Sequence, residues 1–178
     1  TATFPTGGQI SGWTWLGWSD SGVTTGNAEV KHANRDTITV TDNNTFYGLY
    51  NKSLTQTFIS NGTTTQNVTR YYNAYGNYAN PSVTFPTGGT YSGWTWRGWG
   101  ASGVTTANAE VKYTNGQTVT VAGDNTFYGL HKQTITLSYN GNGHTGGSTA
   151  AQTGAKYFNA AGNYMDPTFS LRTNGFTK

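Results

Sequence analysis

The sequence predicts an all-β chain built as two small antiparallel units in tandem, with low helix content. Three observations carry this: period-two patterning, Asn/Gly turn pairs and an internal repeat. Thr37 to Thr41, Leu54 to Ile59, Thr118 to Val121 and Thr134 to Tyr139 alternate apolar and polar residues, the pattern of half-buried strands. Between such runs stand Asp42-Asn43-Asn44, Asn61-Gly62, Asn115-Gly116 and Asn140-Gly141, pairs that tolerate positive φ and close hairpins. No stretch shows an apolar i, i+3, i+4 face with caps, and only Asn27 to Lys31 has room for a single helical turn.

The repeat is the strongest of the three signals. Gly12-Trp13-Thr14-Trp15-Leu16-Gly17-Trp18 returns as Gly93-Trp94-Thr95-Trp96-Arg97-Gly98-Trp99, a spacing of 81. The same spacing carries Ser21 to Thr25 onto Ser102 to Thr106, Asn27 to Lys31 onto Asn108 to Lys112, and Thr45 to Leu49 onto Thr126 to Leu130. Farther on, Pro81 matches Pro167 at a spacing of 86, so five residues are added in the second copy. They fall around Asn140 to Gly147, a loop composition, and a longer surface turn costs little. On this phase residues 1–50 are the back half of one repeat, 51–131 a complete repeat, and 132–178 the front half of a third. The two ends then read either as cuts through a longer array or as halves that complete one another between chains.

Composition narrows the function. Only 10% of residues are charged while 15% are aromatic, which describes an uncharged polar surface over an aromatic interior. The net charge of +3 comes from ten basic residues spaced singly, with no run that could follow a phosphate backbone, so nucleic acid is not an expected partner. Without cysteine there is neither a disulfide framework nor a thiolate metal site. No apolar stretch approaches the ~18 residues of a membrane-spanning helix, so membrane insertion is not expected. Thr1 to Pro5 lack the pattern of a signal peptide, and any export signal or anchor is expected outside this segment.

In the order Gly-Trp-Thr-Trp-x-Gly-Trp (Gly12 to Trp18, Gly93 to Trp99), then Phe46 to Tyr50 and Phe127 to His131, then Thr57 to Gly62 and Thr136 to Gly141, the chain resembles the internalin B-repeat family, the Listeria/Bacteroides surface repeat. The resemblance covers essentially the whole chain. It departs from the family pattern in its longer unit, in Tyr50 or His131 where the family carries Trp, and in Tyr71-Tyr72-Asn73-Ala74 in place of a shorter Tyr-Gly turn. What the resemblance implies is a β-grasp-like module strung in tandem on secreted bacterial or phage structural proteins. The module would be extracellular, at a cell or virion surface, and would serve as a non-enzymatic spacer or an adhesion unit. It brings no catalytic residue, metal or cofactor to transfer.

The residues themselves agree with a chain that does no chemistry. The acids are Asp20, Glu29, Asp36, Asp42, Glu110, Asp124 and Asp166, and the histidines His32, His131 and His144. Asp20 becomes Ala101, Asp36 becomes Gln117 and His32 becomes Tyr113, so the two copies share no acid–base pair and no catalytic or metal site is expected. Glu29-Val30-Lys31 and Glu110-Val111-Lys112 do recur, and a plain ion pair is the reading for them.

Aromatic side chains are the remaining candidates. Trp13, Trp15 and Phe46, with Trp94, Trp96 and Phe127, are expected in the core, since each buried ring removes about 150–250 Å² from water. Trp18 and Trp99 follow Gly17 and Gly98 and have opposite parity to Trp15 and Trp96, so without a bulge they face outward, while the area each ring removes from water favours the core for them as well. With Tyr71, Tyr75 and Tyr78 they are the candidate contacts for cell-wall or host glycans, for neighbouring repeats or for identical subunits. The expected function is therefore a structural spacer, with a glycan-binding adhesion module and a self-polymerising filament subunit as alternatives.

Overall fold

The computed structural model describes all residues from 1 to 178. The chain is all-β and forms no helix. Its strands are β1 (Ala2–Thr3), β2 (Thr14–Trp18), β3 (Thr37–Ile38), β4 (Gly48–Ser60), β5 (Gly62–Asn73), β6 (Asn77–Ala79) and β7 (Ser82–Thr84), followed by β8 (Thr95–Trp99), β9 (Thr118–Thr120), β10 (Asn125–Leu137), β11 (Gly146–Gly147), β12 (Gln152–Asn159), β13 (Asn163–Met165) and β14 (Phe176–Thr177). Where a short helical turn was expected near Asn27 to Lys31, one hydrogen bond from Ala28 N–H to Thr25 C=O closes a turn that does not propagate.

The chain divides into two compact units. One comprises residues 1–56, 65–84 and 118–124, and the other residues 57–64, 85–117 and 125–178. In the first, β2 pairs with β4, β4 with β5 and β5 with β6, while β1 pairs with β3 and β7 with β9. In the second, β8 pairs with β10, β10 with β12 and β12 with β13, while β11 pairs with β14. All pairings with a defined register are antiparallel. The expected turn at Asn61-Gly62 joins β4 to β5, with Gly62 at φ 107°.

Each unit repeats the same local device. β2 and β8 both shift register against their partners, between Trp15 and Gly17 and opposite Leu130/His131. Gly17 and Gly98 sit at φ 152° and 144°, and a Cβ there would lie 2.9 Å or less from its neighbours, so the bulge requires glycine. The bulge adds a residue and returns the next tryptophan to the face of the previous one. Trp15 and Trp18 rings meet edge-to-face at 5.0 Å, and Trp96 and Trp99 at 5.2 Å.

The cores follow from this. In the first unit Phe4 stacks on His32 at 4.4 Å and meets Phe46 at 4.8 Å, beside Trp18 at 6.0 Å. In the second, the equivalent Phe85, Phe127 and Trp99 gather around Phe58, whose ring lies 5.2 Å from Phe85, 5.3 Å from Phe127 and 5.5 Å from Trp99, and Tyr113 stacks on Phe85 at 4.3 Å. The first unit holds a further aliphatic cluster of Leu54, Val83 and Val121, with Val68 and Val119 packed against it.

Candidate binding surface

Outside these cores, each unit carries an aromatic stack on the outer hairpin. In the first, Tyr72 of β5 stands directly opposite Tyr78 of β6, their rings 4.8 Å apart, and Trp13 leans on both at 5.6 and 5.9 Å. The Arg70 guanidinium lies 4.2 Å over the Tyr78 ring and 5.8 Å from that of Trp13, a cation held against the negative ring faces. In the second, Phe158 opposes Tyr164 with rings at 4.7 Å, Trp94 approaches both at 5.6 and 6.0 Å, and Lys156 Nζ stands 5.5 Å over Tyr164. Tyr78 and Tyr164 are 51% and 59% exposed, so each stack ends in an accessible ring.

A buried amide fixes each hairpin. Asn73 donates from Nδ2 to Val23 C=O at 3.0 Å and accepts from Tyr75 N–H at 2.8 Å, and Asn159 does the same with Val104 and Ala161 at 2.9 and 2.8 Å. Both asparagines are fully buried, so the turn that presents the tyrosine is tied to the interior of its own unit.

Beside Trp13, residues Gly8, Gln9, Ser11 and Gly12 line an open cleft of about 620 Å³ that also touches Trp15. Beside Tyr164, residues Thr106, Asn108, Asn163 and Met165 line another of about 370 Å³. A ring flanked by amides and hydroxyls can stack on an apolar ligand face while hydrogen-bonding its edge.

The sequence candidates separate cleanly. Trp99 is 1% exposed, enclosed by Phe58, Phe85 and Trp96, with its indole N–H donated to Pro86 C=O at 3.0 Å. It cannot face outward, and the bulge at Gly98 is the reason the parity argument fails. Trp18 is half-buried and its indole N–H is likewise spent on Pro5 C=O at 3.1 Å, so it too is turned to the core side. Tyr71 is half-buried. Tyr75 is 57% exposed, its ring edge-on to Tyr47 at 5.1 Å, and Ala161 stands in its place in the other copy.

Of the expected core residues, Phe127 is 3% exposed, while Phe46, Trp13, Trp15, Trp94 and Trp96 are half-buried. Sequence reasoning missed Arg70 and Lys156 as members of the stacks. The signal available was their joint recurrence with Tyr72/Phe158 at a spacing of 86.

Ionisable groups are few and scattered. Glu29 and Lys31 form an exposed pair at 2.7 Å, and their hydrogen bond lowers the carboxyl and raises the ammonium from their ordinary values. His32 Nε2 lies 3.5 Å from Asp20, and no group of three His, Asp or Glu is placed to hold a metal. Burial raises the Tyr50 and Tyr91 hydroxyls, keeping both as donors: Tyr50 to Gly8 C=O at 2.9 Å and Tyr91 to Ser60 C=O at 2.6 Å. His131 occupies the place of Tyr50 and meets Gly89 C=O at 3.1 Å through Nε2. Burial pushes its pKa down, and its Nδ1 has no partner.

No family model matches the chain, and neither the curated proteins nor the solved structures contain a significant match to it.

Proposed function

We propose that this chain is a non-enzymatic structural repeat of the internalin B-repeat type, β-grasp-like and arrayed in tandem. On this reading it is a spacer on the outside of a bacterial cell or a phage particle. One observation carries the reading: packing recurs at the repeat spacing while acid–base chemistry does not. Trp15 contacts Trp18 and Tyr50 as Trp96 contacts Trp99 and His131, and Asn73 is wired as Asn159 is. The Asp20–His32 pair, by contrast, has Ala101 and Tyr113 in its place. Residues kept to hold a module and released where chemistry would need them describe a mechanical element.

A second reading is glycan binding, favoured by the two exposed stacks ending in Tyr78 and Tyr164, one beside a cleft carrying Gln9 and Ser11 and the other beside a cleft carrying Thr106, Asn108 and Asn163. A glycan array and a cell-wall pull-down separate the two. The spacer reading expects no selective retention. It is lost if binding is selective and disappears in Tyr78→Ala/Tyr164→Ala while the melting transition stays within about 0.5 kcal/mol of the parent, the range of ordinary surface changes.

A further inference from the structure

The outer hairpins of the two units are built alike but differ in their phenols. In the first unit Tyr72 and Tyr78 stand directly opposite one another on β5 and β6, their rings 4.8 Å apart and inclined by only 32°. Tyr47 and Tyr75 of the same unit touch edge-on at 5.1 Å and 73°. In the second unit each pair has lost one phenol: Phe158 faces Tyr164 in the same register at 4.7 Å, and Ala161 stands where Tyr75 would meet Tyr128.

Two phenols so placed have a chemistry that neither has alone. Removing an electron and a proton from a tyrosine leaves a radical shared between the oxygen and the ring carbons ortho and para to it. The para carbon carries the side chain, so two such radicals join through ortho carbons. Joining needs the rings side by side with their hydroxyls pointing the same way. Directly opposed residues of an antiparallel pair meet this need, since their Cβ atoms lie about 4.5–5.5 Å apart and their side chains leave the same face of the sheet. The Tyr47–Tyr75 contact does not, because the edge of one ring there meets the face of the other.

Access and restraint complete the site. Tyr78 is 51% exposed and Tyr72 half-buried, so an oxidant reaches the pair from solvent. Trp13, 5.6 and 5.9 Å from the two rings, and the Arg70 guanidinium, 4.2 Å over Tyr78, hold them in place. Buried Asn73 fixes the turn between them. The chain has no cysteine, so no thiol consumes the oxidant first and no disulfide closes this hairpin.

We propose that Tyr72 and Tyr78 are a modification site, at which an ortho–ortho carbon–carbon bond staples β5 to β6. The co-reactant is hydrogen peroxide acting through a peroxidase. Each phenol gives up one electron and one proton, and the peroxide becomes two waters. The two radicals pair to form the bond, and the two ortho hydrogens pass to the oxygens and restore both hydroxyls. Such a staple stiffens a spacer, yet it requires only the pair itself, so its failure leaves the spacer reading untouched.

The full chain, kept dilute, is treated with peroxidase and hydrogen peroxide, and a parallel tube of N-acetyltyrosine reports that the oxidant was delivered. Cleavage after Lys and Arg releases residues 71–97 as one peptide. The expected product is that peptide lighter by two hydrogens, without fragments from backbone cleavage between 72 and 78, from a chain that still runs as a monomer. Dityrosine fluorescence should fall at least tenfold in Tyr72→Phe and in Tyr78→Phe; the first of these copies the residue found in the second unit. Phe158→Tyr, which rebuilds the pair there, should gain a second link, to Tyr164.

The proposal is overturned if the parent forms no link while N-acetyltyrosine dimerises, or if Tyr72→Phe links as well as the parent. A link that joins residues 36–52 to 71–97, the signature of Tyr47 or Tyr50 as the partner, also overturns it. So does a Phe158→Tyr chain that melts with the parent and gains no second link.

Discussion

Replacing Gly98 with alanine tests the device that turns Trp99 inward. The added methyl carbon would stand 2.4 Å from Val111 Cγ1 and 2.9 Å from the Tyr113 carbonyl oxygen. Val111 can rotate, but the carbonyl is held, since it accepts from Trp99 N–H at 2.9 Å. Placing a non-glycine residue at φ 144° costs about 1–3 kcal/mol, and relieving the overlap by a backbone shift about 1–3 more. The expected loss is therefore ~2–6 kcal/mol in urea denaturation, with a changed tryptophan near-ultraviolet signal as Trp99 loses its edge-to-face contacts. Gly103→Ala is the control: its φ of 73° carries strain, yet nothing lies within 4 Å of the new methyl, so only about 1–2 kcal/mol is expected. If Gly98→Ala loses no more than Gly103→Ala, the bulge does not set the orientation of Trp99 and the burial argument is refuted.

Other outcomes follow from the same contacts. Trp99→Ala should cost about 3–5 kcal/mol, the range for a fully buried aromatic, and half-buried Trp18→Ala clearly less, compared by thermal melts of the two variants. Asn73→Ala and Asn159→Ala should each lose about 1–3 kcal/mol, because each strands a backbone carbonyl and a turn N–H, and hydrogen exchange should show the loosening at the β5–β6 and β12–β13 turns respectively. His131 is held below its ordinary value of 6.5 by burial, so its unfolded form binds the proton first. Stability should accordingly fall as pH drops below about 6.5, by at most ~1.4 kcal/mol per unit, and a His131→Tyr variant should lack that component in pH-resolved denaturation.

Much of the architecture was legible because strand and turn signals act locally. Leu54 to Ile59 lies inside β4, most of Thr134 to Tyr139 inside β10, and Asn61-Gly62 is a hairpin turn. β5 was not legible, because the residues that point inward on it are Gln66, Val68, Arg70 and Tyr72. Gln66 and Arg70 satisfy a polar group at their tip while burying their stems, Tyr72 lays its ring on Tyr78, and an apolar/polar alphabet reads all three as surface. The side of the sheet chosen by Trp18 and Trp99 was illegible for a different reason. Parity along a strand is a local count, and one inserted residue reverses it. The glycines at positions 17 and 98 marked where such a reversal is cheap, without saying that it occurs.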